Sequence, residues 1–383
     1  MSEVSRRRFC ISLVGAAAGS TFIAPTLATP GAFCIWPAWE TYKSLFIQSD
    51  GRVFDSSANG HSTSEGQVYA LFFALIADDR TSFRKILNWA KDNLAGGNLA
   101  SRLMAWQWGK RPDGTWGIID GNAASDADLW LAYLLFQAGR LWRDESLVSL
   151  ANQTANRIGR ELIITHPKLG TILLPGATGF KLSHDRYKLN PSYQPLFLLR
   201  GLAKEQPKGP WSALAKSTIR MLTQASPKGL VPDWVLADPA NGFTANNETG
   251  CQGSYDAIRV YLWAGLTSSQ DSERKALMTA LSPYVNLLEK LLVPPERVNT
   301  CSGKIESTQS PPGFSVALLP FLMEIGAKSN FDRLQERLTL LGGLPPVYYE
   351  RSLGLFSEGW LEKRFRFEFD GRLIIGNQTL CVN

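Results

Sequence analysis

The sequence predicts an all-α protein in which inner and outer helices alternate around a ring. Segments that are apolar on nearly every side tend to be followed by segments with one apolar and one polar face. This alternation runs from end to end, and no Pro/Ser/Gly-rich linker, charge run or low-complexity segment divides it. A helix that is apolar all round must be covered on all sides, whereas an amphipathic helix keeps one face in water. The pairs therefore fit the two layers of a toroidal helical barrel.

Five pairs of this kind are predicted. The inner, mostly apolar members are expected at 68–76, 129–136, 192–203, 257–263 and 314–323, and the outer members at 81–94, 146–161, 211–224, 272–292 and 330–341. Further helices near 37–47 and 354–362 bring the total to about twelve. Strand-like segments are short, at 52–55 and 171–174 and in a hairpin over 365–375 that turns at Asp370-Gly371. The alternative architecture is a two-layer helical bundle of unrelated type.

The first 32 residues have the pattern of an export signal. A twin arginine precedes a moderately apolar, uncharged stretch at 11–27, which is typical of a Tat-type signal peptide. The stretch is short, rich in alanine and glycine and broken by Pro25, so cleavage after Ala28 or Ala32 is predicted rather than a membrane anchor. The remaining chain, 33–383, is expected to be a single domain that is periplasmic or secreted and has no membrane attachment.

Three acidic residues share one local setting, and this setting is the clearest functional signal. Glu65, Asp126 and Asp256 each follow a serine or threonine suited to capping a helix, and each precedes an apolar run. Three carboxylates in the first turns of three buried helices are expected to converge on one end of the helical core. Converging carboxylates are typical of acid/base hydrolysis, most often of a glycosidic bond.

Helix capping is the alternative explanation of the same residues. Acidic side chains complement the helix dipole at N-termini, and Ser62-x-x-Glu65 fits a capping box, in which the glutamate bonds back to the amide of the capping residue. Ordinary capping occurs mostly on amphipathic surface helices, however, and these three helices are almost entirely apolar. Convergence on a common site is therefore the favoured interpretation.

Several blocks, in order along the chain, resemble those of one enzyme family. The stretch 124–132, continuing through Ala138 to Trp142, is similar to the signature of glycoside hydrolase family 8, and 63–67 and 254–259 look like its other two catalytic blocks. The resemblance extends over residues 34–381 and is strongest to the family members encoded with bacterial cellulose synthase. Further matching blocks lie at 36–40, 190–193, 232–234, 255–261 and 364–367.

The resemblance implies an (α/α)6 barrel that hydrolyses β-1,4-glucan with inversion at the anomeric carbon. Glu65 is implied as the general acid and Asp256 as the general base. Asp126 is implied to hold the distorted sugar ring and to stabilise the positive charge that develops on it. The residues expected to bind substrate are Trp106, Tyr193, Trp234, Tyr255 and Arg259. Two roles are open for Arg259, because it could orient Asp256 or form a salt bridge inside the barrel.

Five cysteines in an exported chain indicate disulfide bonds. Cys10 is lost with the signal peptide, and the four that remain allow three pairings. The preferred set joins Cys34 to Cys381, which matches cysteines near both ends of the family members that the chain resembles. It also joins Cys251 to Cys301, which would clamp the loop before the third acidic residue.

The composition argues against several classes of function. The net charge is +6, or +4 without residues 1–32, and no Lys/Arg stripe carries interleaved aromatic residues, so a nucleic-acid partner is not expected. The three histidines are scattered and no cysteines have zinc spacing, so neither a metal nor a cofactor is expected. The twelve tryptophans suit a cleft that stacks on a neutral sugar polymer.

Two other functions stay open at this level. The same fold could act on xylan, mixed-linkage glucan or chitosan, although a cleft for cationic chitosan would need extra acidic residues and only Asp128 adds to the three. The protein could instead be a non-catalytic glucan-binding component of the cellulose export machinery. The three carboxylates argue against a scaffold, which has no physical need of them. The expected partners are a β-1,4-glucan chain and the cellulose synthase and export complex.

Overall fold

A computed structural model describes residues 35–246 and 248–376. The helices in these ranges are α1 (Pro37–Phe46), α2 (Ser64–Ile76), α3 (Arg80–Leu94), α4 (Ser125–Trp142), α5 (Glu145–Glu161), α6 (Leu196–Glu205), α7 (Trp211–Ala225), α8 (Ala257–Leu266), α9 (Arg274–Leu281), α10 (Tyr284–Leu291), α11 (Pro312–Glu324), α12 (Lys328–Leu340) and α13 (Tyr348–Leu361). Helices α2, α4, α6, α8, α11 and α13 form an inner ring, and the others lie outside it. The predicted all-α (α/α)6 barrel is confirmed.

Burial separates the two layers as the sequence pattern predicts. Every residue of α2 except Glu65 is buried, as is every residue of α8. The outer helix α3 instead buries one stripe, made of Phe83, Ile86, Trp89, Ala90 and Leu94. This spacing places apolar side chains on one face of the helix and leaves the opposite face in water.

Aromatic side chains fill the axis of the ring and link the inner helices. Trp130 of α4 lies at the centre, with ring centroids 5.3 Å from Phe72 of α2, 5.7 Å from both Phe197 of α6 and Trp263 of α8, and 5.5 Å from Phe356 of α13. Such contacts stabilise a core beyond the area that they bury. The axis is therefore filled by packed side chains, and any cleft must lie at an end of the barrel.

The strands are short, antiparallel and confined to the connections between helices. They are β1 (Ser62–Thr63), β2 (Gln107–Lys110), β3 (Trp116–Asp120), β4 (Ile163–His166), β5 (Gly170–Leu173), β6 (Tyr187–Leu189), β7 (Val235–Asp238), β8 (Gly242–Thr244), β9 (Gln252–Gly253), β10 (Arg297–Asn299), β11 (Ile305–Ser307), β12 (Phe365–Phe367) and β13 (Leu373–Ile375). They pair in the orders β1-β2-β3, β6-β7-β8, β11-β10-β9, β4-β5 and β12-β13. Strands β1 and β9 lead directly towards the N-termini of α2 and α8.

The predicted hairpin over 365–375 is confirmed and closes one end of the barrel. Phe367 of β12 stacks on Phe197, with centroids 3.8 Å apart and planes within 7°. Phe365 meets Phe72 edge-on at 4.9 Å. The hairpin thus covers the end at which α2 and α4 finish. The opposite end, where the inner helices begin, is left to the connecting loops.

Three of the predicted elements differ from the structure in type or in number, apart from shifts in where a helix begins. The outer segment 272–292 is two helices, α9 and α10, because Pro283 has no amide hydrogen to continue the first. The segment 192–203 begins with a 3-10 turn, Pro191–Tyr193, before α6. The segment 52–55 forms isolated bridges rather than a strand, in which Val53 pairs with Ile47 and Asp55 with His61.

The described residues contain one of the two predicted disulfide bonds. Cys251 and Cys301 are joined, with their Cα atoms 5.5 Å apart. Cys34 and Cys381 lie outside the described residues, as does the predicted signal segment 1–32. Among the helices of 35–246 and 248–376, none is long and apolar enough to cross a membrane.

Candidate active site

Glu65 projects from the first turn of α2 towards the open end of the barrel. Thr63 caps this helix, because its hydroxyl accepts a hydrogen bond from the Gly66 amide at 3.1 Å. The Glu65 carboxylate takes no part in capping. Its Oε1 accepts from Arg259 Nη1 and its Oε2 from the Trp106 indole, both at 3.0 Å. The capping box considered for Glu65 is therefore wrong.

Asp126 lies in the first turn of α4 and is buried. The expected serine cap is absent here, because α4 begins at Ser125 and the Ser125 hydroxyl has no partner among the described residues. Asp126 Oδ1 accepts from the Ala127 amide at 2.9 Å, and Oδ2 faces Arg259 Nη1 at 3.4 Å. Burial and the nearby Glu65 carboxylate raise the pKa of Asp126 well above its usual range.

Asp256 occupies the N-cap position of α8, and its side chain is 27% exposed. The carboxylate bonds to the guanidinium of Arg259, one turn further along the same helix. Burial raises the pKa of Asp256, and the positive charge of Arg259 opposes this effect. Ser254 is not the cap, since its hydroxyl donates to the Glu296 carbonyl at 2.6 Å. Among the three carboxylates, Asp256 therefore combines a fixed orientation with the greatest access to water.

Arg259 joins the three carboxylates into one cluster. Its side chain is 5% exposed, and Nη1 reaches Glu65, Asp126 and the Tyr69 hydroxyl, the last at 3.0 Å. Nη2 holds Asp256. The salt bridges considered for Arg259 are present inside the barrel, and its role in orienting Asp256 stays a prediction. One cation faces three carboxyl groups, so the cluster favours a bound proton or a developing positive charge.

The aromatic residues predicted to bind substrate divide into two groups. Trp106 is 37% exposed beside Glu65, Tyr255 is 46% exposed beside Asp256, and Tyr193 lies with its ring centroid 5.6 Å from the Arg259 guanidinium carbon. Trp234 packs elsewhere, stacked on Phe180 at 5.8 Å. The first three lie around the carboxylate cluster, whereas Trp234 contacts Phe180 and the Lys188 side chain of β6. A role in substrate binding stays a prediction for all four.

Two further buried carboxylates, Asp128 and Asp233, accept hydrogen bonds from the backbone next to the site. Asp128 Oδ1 accepts from the Met104 amide at 3.1 Å, which fixes the segment that leads to Trp106. Burial raises the pKa of Asp128 to about 8. Asp233 bonds to the turn that carries Asp256, and burial together with the Asp256 charge raises the pKa of Asp233 to about 6. Sequence reasoning gave neither residue a function, although an acid inside an apolar run was a visible signal in each case.

Two tyrosines lie beside the cluster, and no local pattern in the sequence indicates this placement. The Tyr69 hydroxyl accepts from Arg259, one turn of α2 beyond Glu65. Tyr349 of α13 donates its hydroxyl hydrogen to the Tyr255 carbonyl at 2.5 Å. Each looks in the sequence like an ordinary core aromatic residue. Only the assembled ring shows that their hydroxyls face the carboxylate end.

Several known proteins are similar to this chain in sequence and in fold. The curated endoglucanase of Xanthomonas axonopodis pv. citri is 41% identical over 97% of this chain and 97% of its own length. The endoglucanase of Escherichia coli K12 is 39% identical over 92% of this chain and 94% of its own length. The solved endo-1,4-D-glucanase of Vibrio fischeri ES114 is 39% identical, with a TM-score of 0.83 over 89% of this chain and 99% of that one. The endoglucanase Cel10 of Klebsiella pneumoniae, a family 8 glycosyl hydrolase, is 25% identical, with a TM-score of 0.70 over 86% and 99%.

The sequence profile of one family matches most of the chain, over residues 20–363. That family is described as glycosyl hydrolases family 8. The match includes all three carboxylates and Arg259. With its barrel fold and its carboxylate cluster, the chain belongs to glycosyl hydrolases family 8.

Proposed function

We propose that the protein is an endo-1,4-β-glucanase that cleaves cellulose chains with inversion of anomeric configuration. The observation that carries the proposal is the convergence of Glu65, Asp126 and Asp256 on Arg259. These carboxylates come from the starts of three separate helices that are almost entirely buried. Burying charge without a purpose is costly, so such a cluster supports a catalytic role more than a structural one.

In this proposal Glu65 is the general acid and Asp256 the general base. Glu65 donates its proton to the glycosidic oxygen, which leaves as the hydroxyl group of one product. Asp256 takes a proton from a water molecule whose oxygen attacks the anomeric carbon from the opposite face. Inversion requires a gap of roughly 6.5–9.5 Å between the two carboxyl groups. Glu65 and Asp256 bond to different nitrogens of Arg259, so the two carboxylates are held apart from each other on one guanidinium group.

The charge balance of the cluster suits the proposed chemistry. Burial and the charge of Glu65 raise the pKa of Asp126, so this carboxyl holds a proton more readily than an exposed aspartate. As positive charge develops on the sugar ring, an ionised Asp126 would stabilise it. Arg259 meanwhile opposes the rise in the pKa of Asp256 that burial causes, and so favours the ionised form that a base requires.

The proposed substrate is a β-1,4-linked glucan. Curated relatives across most of this chain are named endoglucanases, and the similar structure from Vibrio fischeri is an endo-1,4-D-glucanase. The exposed rings of Trp106 and Tyr255 beside the carboxylates support stacking on the C–H faces of glucose units. Xylan, mixed-linkage glucan and chitosan are the comparison polymers in any assay.

Viscosity loss and reducing-end release on carboxymethylcellulose test the proposal. An endo-acting enzyme cuts in the middle of chains, so viscosity should fall quickly while few new ends appear. The Glu65→Gln variant should show neither effect. NMR of the first product anomer should show inversion, and retention would contradict the role of Asp256. Activity on xylan or chitosan alone would replace the proposed substrate.

We also propose that the enzyme is exported and trims glucan during cellulose secretion. The twin arginine at residues 6 and 7, followed by an apolar stretch, supports export to the periplasm. Replacing both arginines by lysine should retain the protein in the cytoplasm, which fractionation and blotting would measure. Deletion of the gene in a cellulose-producing host should change the amount or the crystallinity of the cellulose secreted. Unchanged cellulose would argue against the biosynthetic role but not against the hydrolase activity.

A further inference from the structure

We propose that Asp233 is a positioning residue that caps α8 in place of Asp256, and so leaves the Asp256 carboxylate free to act as the base. This inference rests on the proposed function, because it needs Asp256 to be the base. Asp233 precedes β7 and belongs to a different segment of the chain from α8. Its contacts, rather than its position in the sequence, carry the argument.

The Asp233 carboxylate accepts hydrogen bonds from the backbone on both sides of Asp256. Its Oδ1 accepts hydrogen bonds from the amides of Ser254 and Ala257, each at 2.8 Å. These amides lie two residues before Asp256 and one residue after it. Two charge-assisted bonds from one oxygen fix the backbone that carries Asp256 and leave its side chain untouched.

Asp256 directly precedes α8, but its backbone angles are helical (φ −75°, ψ −48°), so its own side chain is not placed to cap the helix. At the N-cap position a carboxylate usually accepts from an amide in the first turn. No side-chain cap bond of this kind comes from Asp256, whose carboxylate turns to Arg259 instead. Asp233 supplies the missing acceptor, since it accepts a hydrogen bond from the amide of Ala257, the first residue of α8. Self-capping by Asp256 would hold its oxygens against the helix and away from a water molecule.

Asp233 is itself held by a rigid support. The residue is 6% exposed, its Oδ2 accepts from the Gln252 side chain at 3.2 Å, and its amide donates to the Gln252 carbonyl at 2.7 Å. Gln252 begins β9, which pairs with β10. The Cys251–Cys301 disulfide links the ends of these two strands. The predicted clamp on the loop before Asp256 therefore acts through Asp233.

The geometry predicts different effects for three substitutions. Asp233→Ala removes the acceptor and should lower kcat about 10- to 100-fold with KM within about twofold, because a base displaced by an ångström loses rate rather than binding. Asp233→Asn retains a carbonyl oxygen for both amides, and its kcat should stay within about threefold of wild type. Asp233→Glu retains the charge but moves the carboxylate, so kcat should fall about tenfold. The glutamate variant serves if the alanine variant does not fold.

A cap at the other end of the barrel provides the control. Asp79 caps α3, where it accepts from the Ser82 amide at 3.0 Å. It follows the last turn of α2, roughly 20 Å along the barrel from Glu65 at 1.5 Å per residue. Asp79→Ala should lower the thermal midpoint and leave kcat unchanged. Equal losses of kcat in Asp79→Ala and Asp233→Ala would overturn the inference, as would a full loss in Asp233→Asn.

A double substitution separates this inference from the proposed function. In an Asp256→Asn background, Asp233→Ala should cause no further loss of rate, because the two residues act as a unit. An additive loss would overturn the inference. If Asp256→Asn alone keeps the wild-type rate, the proposed function fails and the inference fails with it. If Asp256→Asn is inactive while Asp233→Ala and Asp233→Glu keep the wild-type kcat, only the inference fails.

Discussion

At the open end of the barrel, α2, α4 and α8 begin and direct three carboxylates at Arg259. At the closed end, α2 and α4 finish, and the β12–β13 hairpin presses Phe365 and Phe367 against the aromatic axis. Both ends are built on the same helices, and both bury side chains. Burial at the open end raises the pKa values of acids, whereas burial at the closed end removes aromatic surface from water.

The difference shows how the barrel separates stability from chemistry. Each aromatic ring that packs at the closed end adds to the stability of the fold, because burying aromatic surface is favourable by itself. The open end bears the cost of desolvating Asp126, Asp128 and Asp233, whose raised pKa values measure that cost. Substitutions at the open end should therefore reduce activity at little cost in stability, and substitutions at the closed end should do the reverse.

The largest effect is expected from Glu65→Gln. Glutamine keeps the shape of the side chain and its bond from Trp106, but it has no proton to donate to the glycosidic oxygen. We expect kcat to fall by about 10³-fold or more, since general acid catalysis alone contributes about 10²–10⁴-fold. Reducing-end release measures the rate, and thermal unfolding should show a midpoint no lower than that of wild type. A variant with near-wild-type kcat would contradict the role of Glu65.

The converse experiment at the closed end is Phe367→Ala. Phe367 is 3% exposed and stacks on Phe197, so its removal should lower the free energy of unfolding by about 3–5 kcal/mol. Denaturant unfolding measures this loss. At a temperature where the variant is folded, its kcat should equal that of wild type. Phe369→Ala is the matched control on the same hairpin, because Phe369 is 54% exposed and its loss should cost under about 0.5 kcal/mol. A large loss of kcat in Phe367→Ala would show that the two ends are coupled.

A pH experiment measures the cost of the buried acids. The pKa of Asp128 is about 8 in the folded protein against 3.8 for the free side chain. Below about pH 4 the group is protonated in both states. Between about pH 4 and pH 8 only the unfolded state ionises, so the free energy of unfolding falls by about 1.4 kcal/mol per pH unit from this group. Asp128→Asn removes this dependence, and the wild type should lose stability relative to the variant as pH rises over that range. Parallel curves in denaturant titrations would show that the environment of Asp128 does not disfavour its charge.

Much of the fold could be predicted because a buried helix has a recognisable pattern in its own local sequence. Segments such as 68–76 and 257–263 are apolar on all sides, which indicates an inner helix without any knowledge of its neighbours. The break at Pro283 was missed because the apolar stripe continues across it. The start of α13 at Tyr348, six residues before the predicted helix, was also missed. Its first turn follows two prolines and mixes tyrosines with charged residues, so it resembles a loop when tertiary contacts are unknown.

The three acidic residues of the candidate site could be predicted, but the hydrogen bonds and salt bridges that connect them could not. The local settings of Glu65, Asp126 and Asp256 are similar, and this similarity identified them. The hydrogen bond that Asp233 accepts from Ala257 spans 24 residues, and the contact of Arg259 with Glu65 spans 194. Such contacts depend on how the ring closes, and no periodicity in the chain encodes them. Capping was also mispredicted at Ser125, because a serine beside a helix start is only permissive.

The smallest effect, and the finest test of the comparison between the ends, is expected from two helix caps. Thr63→Ala removes the cap of α2 beside Glu65. Asp144→Ala removes the cap of α5 at the closed end, where the Asp144 carboxylate accepts a hydrogen bond from the Ser146 amide at 3.1 Å. Each should cost about 1 kcal/mol of stability. Only Thr63→Ala should also lower kcat, by a few-fold, because the first turn of α2 sets the position of the Glu65 carboxylate. Unfolding and steady-state kinetics on both variants measure the contrast. A matching fall in kcat for Asp144→Ala would mean that catalysis follows the general stability of the barrel rather than the order of its open end.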